Sequence, residues 1–209
     1  FGIPRQSGLA DALEASIVFE PPYRSPDAVR GLADFSHIWL LWQFHQTARD
    51  GWSATVLPPK LGGKTRVGVF ATRSPFRPNP IGLSSVRLLD VDLRCKNAPV
   101  LRVAGADLVD GTPIYDIKPY LPYADSHPDA IDGFDGKRDA APLTVVFPPE
   151  LEARIPAEKR QGLRQALACS PIPGYQHDPA RRYGFNFAGF DVRFHIDGHT
   201  LTVCDVVTL

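Results

Sequence analysis

The stretch from Val67 to Gly82, VGVFATRSPFRPNPIG, constrains the fold more than any other. Its first residues alternate as in a strand, so we predict a strand over Thr65 to Thr72. Three prolines follow, Pro75, Pro78 and Pro80. Because proline fixes φ and lacks an N–H, we predict that this part of the chain is a rigid loop. This loop carries Arg73 and Arg77, whose guanidinium groups favour an anion or a carboxylate. The alternative is a structural loop with solvated or ion-paired arginines.

Short apolar segments separated by turn residues predict a chain that is mainly β. Strands are predicted at Ala15 to Phe19, His37 to Phe44, Leu83 to Leu93, Val100 to Leu108, Pro113 to Ile117, Phe190 to Ile196 and Thr200 to Val206. The run HIWLLWQF is almost continuously apolar, which predicts a strand buried on both faces or the central strand of a barrel. Helices are predicted at Ser25 to Phe35 and, broken at Pro156, at Glu150 to Cys169. We place a domain boundary near residue 147, between a β-barrel or sandwich over 1–147 and a small α+β domain over 148–209.

Apolar content and the spacing of cysteines and histidines limit the classes of protein to which the chain can belong. The chain has 209 residues, of which 44% are apolar, enough for a sizeable core. No apolar run approaches the roughly 20 residues that span a bilayer. The three cysteines, Cys95, Cys169 and Cys204, are widely spaced and form no CxxC, so we expect a reducing, cytoplasmic location. The histidines form no metal-binding pattern.

The net charge of zero conceals two oppositely charged regions. Residues 60–102 contain nine basic residues and two aspartates, whereas residues 103–135 contain seven aspartates and one lysine. A basic face beside an acidic loop suits an enzyme that holds an RNA backbone and a cationic ligand. Ordinary ion pairing within the fold is the alternative explanation.

The common nucleotide-binding and nucleophile motifs are missing from the sequence. Gly63-Lys64-Thr65 ends like a P-loop, but Pro58 stands where the first glycine belongs, and neither GxGxxG after a strand nor GxSxG occurs. What remains is a set of four polar loops that can meet at one end of a barrel: Pro4-Arg5-Gln6, His45-Gln46, Arg73 to Leu83, and Ala106 to Tyr123. Each loop alone is explained by a structural role, and together they suit a convergent small-molecule site.

Four segments carry a resemblance to a known family: FGIPRQSGL, DAVRGLADFSHIWLLWQFHQ, PPKLGGKTRVGVFATRSPFRPNPIGLS and GADLVDGTPIYDIKPYLPYADS. They resemble the TsaA-like family, also called TrmO-type tRNA methyltransferases, over residues 1–126, and residues 183–208 resemble its small C-terminal part. The resemblance implies a single-sheeted β-barrel, usually a homodimer, that binds S-adenosylmethionine without a Rossmann fold. It implies N6-methylation of N6-threonylcarbamoyladenosine at position 37 of a threonine tRNA, in the anticodon loop. The family pattern also has a first strand ahead of its PRQ motif, and the printed sequence starts just before that motif.

The resemblance also assigns residues. The implied cofactor contacts are Pro4, Arg5, Gln6, His45, Gln46, Arg73, Leu83, Ala106, Asp107, Leu108 and Asp110. The acceptor nitrogen belongs to a ureido group and is a poor nucleophile, so we expect a proton acceptor or a polarising donor. The candidates are Tyr115, Asp116 and Lys118, with Tyr120 and Tyr123 beside them, and no metal is expected.

RNA contacts follow from the same resemblance. Trp52, Phe76, Tyr120 and Tyr123 are candidate stacking surfaces, or else core aromatics, and residues 60–102 with Arg181 and Arg182 would contact phosphates. A non-catalytic RNA-binding barrel, a methyltransferase for another acceptor and a metabolic cofactor-binding protein are the competing hypotheses.

Overall fold

The computed structural model describes residues 3–47, 51–135, 142–169 and 178–209. Its N-terminal part is built from strands, which are β1 Glu14–Val18, β2 His37–Gln43, β3 Thr55–Val56, β4 Val67–Gly68, β5 Ile81–Asp92, β6 Val100–Ala104 and β7 Ile114–Pro119. A short helix, α1 Pro122–Asp125, follows β7. The mainly β class predicted for this part of the chain is confirmed.

Five of these strands form one antiparallel sheet in the order β1-β6-β5-β2-β7. Its core face is lined by Ile38, Leu40, Val86, Leu101 and Val103, none of which is more than 1% exposed. Among the described residues, β1 and β7 stay at the two edges without pairing to each other. The predicted barrel is therefore not confirmed, and the observed unit is an open sheet.

Three local predictions for the N-terminal part are wrong. Residues 25–35 form two separate 3₁₀ turns, Pro26–Val29 and Leu32–Asp34, because Gly31 between them has φ of +81° and cannot continue a helix. The strand predicted at Thr65 to Thr72 shrinks to β4, after which Val69–Ala71 turns as a 3₁₀ helix.

The third error concerns β2, which is buried on one face only. Ile38, Leu40 and Trp42 point into the core, while Trp39 and Leu41 between them are only partly buried. The sheet therefore has a second face, opposite the core, which we call the outer face. Residues that pair across neighbouring strands share a face, so its composition can be read from the strand register.

The C-terminal part is a smaller α+β unit. It contains β8 Thr144–Val146, α2 Pro149–Glu152, α3 Ala157–Ala168, β9 Tyr183–Phe187, β10 Phe190–Asp197 and β11 Thr200–Thr208. The sheet order is β8-β11-β10-β9, with β8 parallel to β11 and the other pairs antiparallel. The predicted hairpin and the helix break at Pro156 are observed, whereas β8 and β9 were missed.

A second apolar core forms inside this unit. Leu163 and Leu167 of α3 pack with Phe194, Leu201 and Phe147. Phe147 and β8 belong to this C-terminal core, and the domain boundary near residue 147 stays a prediction. Within the described residues, every helix is too short or too polar to cross a membrane.

The two parts are joined through the segment that precedes β1. The Gln165 side chain of α3 accepts a hydrogen bond from Ala12 N–H at 2.8 Å and donates one to the Asp11 carboxylate at 2.5 Å. A Cβ at Gly162 would lie 2.5 Å from Leu13 Cδ2 and 3.3 Å from Ala12 O, so a larger residue there would require the Leu13 side chain to move. Residues 11–13 are consequently held against α3.

Candidate functional site

One end of the five-stranded sheet collects the loops predicted to carry function. β2 ends there at Gln43, opposite Ile81 where β5 begins, and β7 begins beside Trp42 at Ile114. Phe44 N–H donates to Pro80 O at 2.9 Å, which joins the His45-Gln46 loop to the arginine–proline loop. Gln43 N–H donates to Pro113 O at 3.0 Å and joins the same loop to the start of β7.

Three polar side chains from separate loops meet at this end. The Arg73 guanidinium donates a hydrogen bond to the Gln6 side-chain oxygen, across 67 positions of sequence. The charge of Arg73 also acts on the Asp107 carboxylate, which accepts a hydrogen bond from the Ser7 N–H. We call Gln6, Ser7, Arg73 and Asp107 the polar cluster. It holds one cation and one anion on backbone that is fixed by neighbouring strands and turns.

Two glycines hold the Ser7 loop against the Asp107 loop. Gly8 N–H donates to Gly105 O at 2.8 Å, and Gly105 N–H donates to Leu13 O at 2.9 Å. Gly105 has φ of +79°, and a Cβ there would lie 3.3 Å from the backbone of Gly8. The close approach and the left-handed backbone both require glycine at 105.

A buried serine supports Asp107 from behind. Ser84 lies on the core face of β5 with no exposed surface, and its hydroxyl donates to Asp107 Oδ1 at 2.5 Å. The same hydroxyl accepts a hydrogen bond from Trp42 Nε1 at 2.9 Å. Trp42 reaches it by lying flat over Gly82, where a Cβ would come within 2.2 Å of the indole. The chain Trp42–Ser84–Asp107 therefore fixes the carboxylate in one position.

Burial raises the pKa of the Asp107 carboxyl above its ordinary value of 3.8. The hydrogen bonds from Ser84, from its own N–H and from Ser7, and the charge of Arg73, oppose this rise but do not cancel it. A partly desolvated carboxylate gains more from a cation than a fully hydrated one does. The cluster can thus hold a ligand that carries both a carboxylate and a positive charge.

Arg77, the second arginine of the loop, has a structural role. Its guanidinium donates to Thr72 O at 3.0 Å and to Ser74 O at 3.5 Å, so it braces the loop that carries Arg73. Thr72 Oγ1 donates to Val69 O at 2.8 Å and strengthens the same turn. The contacts of Arg77 are thus structural, but they go to backbone carbonyls and not to the solvent or acidic partners that the structural alternative named.

The remaining residues predicted to contact the cofactor differ in how deeply they are buried. Pro4 is buried, His45, Ala106 and Leu108 are partly buried, and Gln46 and Asp110 are exposed. Arg5 is exposed and lies near enough to Cys169 for its charge to lower the pKa of that thiol, against the larger rise caused by burial. Arg5 therefore lies near the C-terminal unit.

Leu83 and two of the three catalytic candidates lie on the outer face. Leu83, Leu41 and Asp116 pair side by side across β5, β2 and β7, and Leu83 is 56% exposed. Lys118 binds Asp116 at 2.9 Å, and this contact, with the Ile117 N–H, lowers the pKa of the Asp116 carboxyl. A single chain thus places Leu83 and Asp116 on the opposite side of β5 from Ser84 and Asp107.

Tyr115, the third catalytic candidate, is 58% exposed and is the extra residue of a bulge between β2 and β7. Bulges redirect a side chain and recur beside active sites. Among the described residues, no group of three or more histidine, cysteine, aspartate or glutamate side chains could hold a metal ion.

Sequence reasoning missed Ser7, Trp42, Gly82 and Ser84. One signal was available for Ser84, because it stands between Gly82 and Val86 on the apolar face of a predicted strand. A polar residue at a core position needs a partner, which the sequence alone does not identify.

Family models match the chain in two places. The tRNA-methyltransferase O N-terminal domain matches residues 1–126, and the TrmO C-terminal domain matches residues 140–209. The tRNA (adenine(37)-N6)-methyltransferase of Escherichia coli K12 is 45% identical over 204 residues, covering 94% of this chain and 86% of that protein. A Pseudomonas aeruginosa protein, provisionally named S-adenosylmethionine-dependent methyltransferase RcsF, is 43% identical over 205 residues, covering 93% and 85%.

A solved structure agrees with these matches. The crystal structure of TrmO from Pseudomonas aeruginosa superposes with a TM-score of 0.76 at 35% identity, covering 99% of this chain and 91% of that one. The fold and its sequence matches define a methyltransferase that lacks the Rossmann fold. The chain belongs to the TrmO family of tRNA methyltransferases, so the family and the enzyme class predicted from the motifs are confirmed.

Proposed function

We propose that the protein transfers a methyl group from S-adenosylmethionine to N6 of N6-threonylcarbamoyladenosine at position 37 of a threonine tRNA. The observation that carries this proposal is the polar cluster, in which loops far apart in sequence bring Arg73, Gln6 and Asp107 together. Family membership and the names of the Escherichia coli and Pseudomonas relatives support the reaction class. A tRNA substrate would place the activity in the cytoplasm.

The polar cluster fits the cofactor, whose amino-acid end carries a carboxylate and whose sulfonium is a cation. Arg73 would bind the carboxylate, with the Gln6 amide holding the guanidinium in place, and Asp107 would attract positive charge. Ser84 would act as a positioning residue for Asp107. The other proposed contacts are Pro4, Arg5, His45, Gln46, Leu83, Ala106, Leu108 and Asp110.

The cofactor, when bound, supplies an electrophilic methyl group. The residues of the chain contribute position and proton handling. Asp116, whose pKa is lowered by Lys118, is ionised at neutral pH and is proposed to accept the proton that N6 loses. Lys118 is proposed to polarise the neighbouring ureido carbonyl, and Tyr115 to donate a hydrogen bond beside it.

A homodimer is proposed because one chain separates the two halves of the site. Asp107 lies on the core side of β5, whereas Leu83 and Asp116 lie on its outer face. Ile81 and Leu83, which are 48% and 56% exposed, give the outer face an apolar surface for a second copy to cover. Light scattering of a Leu83→Asp variant tests this, and an unchanged mass would remove Leu83 from the interface.

The experiment for the activity uses tRNA from cells that lack the enzyme. The protein is incubated with methyl-labelled cofactor and this tRNA, the tRNA is digested, and the nucleosides are separated. We expect label in methylated threonylcarbamoyladenosine from threonine tRNA. Cofactor binding without transfer would favour the RNA-binding barrel, and label in another nucleoside or molecule would favour a different acceptor.

A further inference from the structure

Two aromatic side chains form an exposed pair beside the arginine–proline loop. The rings of Trp52 and Phe70 lie 6.2 Å apart between centroids and are tilted by 35°. Their side chains are 55% and 72% exposed, so much of this aromatic surface faces water. Two adjacent aromatic side chains with this exposure offer a contact surface to a ligand or partner.

The backbone holds this pair in place. Val69 N–H donates to Ala54 O at 2.9 Å, which fixes the segment after Trp52 against the residue before Phe70. β3 and β4 pair just beyond, with Thr55 opposite Gly68. The two rings therefore form a platform that exists before any ligand arrives, so that little ordering would be needed on binding.

The charged residues of the segment that carries the platform are all of one sign. Residues 51–77 contain five basic residues and no aspartate or glutamate, and these are Lys60, Lys64, Arg66, Arg73 and Arg77. Arg66 is held on the paired strands by a 2.7 Å hydrogen bond to Thr55 Oγ1. An aromatic surface within a basic segment is the combination that binds unpaired nucleotides, because bases stack on the rings while phosphates meet the cations.

A second copy of the chain fits the platform less well. In a two-fold contact the same patch meets itself, and the five like charges of residues 51–77 would then repel one another. Of the other aromatic candidates, Tyr120 and Tyr123 lie elsewhere, since Tyr120 N–H donates to His37 O at the opposite end of the sheet and α1, with Tyr123, follows it. Phe76 lies in the arginine–proline loop and is 37% exposed.

The platform also lies within reach of the polar cluster. Phe70 and Arg73 are three positions apart, so their Cα atoms are separated by at most about 11 Å. That distance corresponds to about three stacked nucleotides at 3.4 Å each. A nucleotide that flanks a base brought to a cofactor bound at the cluster can therefore reach Trp52 and Phe70.

We propose that Trp52 and Phe70 form a stacking platform for an unpaired nucleotide that flanks the target adenosine in the anticodon loop. This rests on the proposed function for the identity of the RNA, and it adds a recognition site to it. The platform selects unpaired loop nucleotides, since bases within a duplex have no free face to offer.

The test compares two RNA probes on the full chain without cofactor. One probe is the isolated anticodon stem–loop of a threonine tRNA, and the other is a fully paired RNA duplex of the same length. For a Trp52→Ala/Phe70→Ala variant we expect a loss of about tenfold or more in affinity for the stem–loop, by fluorescence anisotropy. Affinity for the duplex should change less than twofold, because its phosphates still meet the basic residues.

Two further variants separate stacking from misfolding. Trp52→Phe keeps an aromatic face and should keep affinity for the stem–loop, yet it should lose the tryptophan quenching that the stem–loop causes in the unaltered protein. Tyr23→Ala is the matched control, because Tyr23 is 69% exposed and follows the far end of β1. Its affinity for both probes should be unchanged.

Three results would overturn the platform. They are an unchanged affinity for the stem–loop, an equal loss for the stem–loop and the duplex, and a change of mass by light scattering in the double variant. The last would assign the pair to a contact between copies. Because cofactor is absent, methyl transfer can fail while the platform binds RNA, and the platform can fail while transfer persists, so the two proposals are separated.

Discussion

Leu83 and Ser84 are neighbours in β5, yet their surroundings differ in almost every physical respect. Ser84 is fully buried and joins Trp42 to Asp107 through two hydrogen bonds. Leu83 is 56% exposed and shares the outer face with Asp116, which lies on the far side of Leu41 and whose ion pair with Lys118 is open to water. The core side is thus organised in advance by hydrogen bonds that are costly to break, whereas the outer face depends on what covers it.

The largest effect is expected for Arg73→Ala. Loss of a charge-assisted contact to the cofactor carboxylate should weaken cofactor binding about 10- to 100-fold, measured by calorimetry. Arg87→Ala is the matched control, since Arg87 is also exposed in this region of the sequence but pairs with His37 near the other end of β2. Equal binding by both variants would remove Arg73 from the site.

Gly82→Ala should lower the free energy of unfolding by about 1–3 kcal/mol, because the new Cβ would overlap the Trp42 indole. Gly68→Ala is the control, since nothing lies within 4 Å of a Cβ there. Urea denaturation compares them. A similar small change in both would mean that Trp42 can move away from β5 at little cost.

Ser84→Ala and Ser85→Ala compare the two faces directly. Removing the Ser84 hydroxyl leaves the buried Trp42 N–H without its acceptor, at a cost of about 1–3 kcal/mol in the free energy of unfolding. Ser85 pairs with Trp39 on the outer face, and its loss should cost less than about 0.5 kcal/mol. Thermal melting would contradict the comparison if the two variants had the same midpoint.

Acidification should weaken cofactor binding through Asp107. Its folded-state pKa is raised, so its own contribution to stability is most favourable below pH 3.8 and is lost as the pH rises through the raised value. The affinity for the cofactor depends on pH in the opposite direction, because the cation of the cofactor is attracted by the ionised carboxylate and not by the protonated one. We expect affinity to fall about fivefold as the pH drops through the raised pKa, and Asp107→Asn to remove this dependence. A profile that is identical in Asp107→Asn would assign the titration elsewhere.

The smallest effect on stability is expected for Asp116→Asn. The Asp116–Lys118 pair is exposed and screened by water, so its loss should change the free energy of unfolding by less than about 0.5 kcal/mol. Methyl transfer should nevertheless fall if Asp116 accepts the proton. A variant with full activity would leave Tyr115 and Lys118 as the remaining candidates.

Strand existence could be predicted where the sequence alternates clearly, as in β5 and in the hairpin of β10 and β11. The 3₁₀ turns at residues 26–34 were not predicted, because Ser25-Pro26 is a typical helix start. The left-handed backbone of Gly31 is what prevents a continuous helix there. β8 has three residues and pairs with β11 across more than fifty positions, a contact that no local pattern encodes.

Some parts of the candidate site could likewise be predicted from the sequence, and others could not. Arg73 and Asp107 could be singled out from long motifs, and the structure brings both to one cluster. The contact from Trp42 to Ser84 depends on the register between β2 and β5, since a slip of one residue would turn Ser84 to the outer face. For the same reason, a single chain places Leu83 on the outer face of β5 and Asp107 on the core side. The order of the motifs along the sequence does not reveal this separation.

The two hydrogen bonds that Gln165 makes with Asp11 and Ala12 bear on the design of truncated forms of this protein. The segment between the Gln6 loop and β1 is tethered by a helix that is encoded more than 150 positions later. A fragment cut after the first sheet would retain the part that matches the N-terminal family model, residues 1–126, yet lose the hydrogen bonds that hold residues 11 and 12. The C-terminal unit is therefore better regarded as a support for the N-terminal loops than as a detachable appendage.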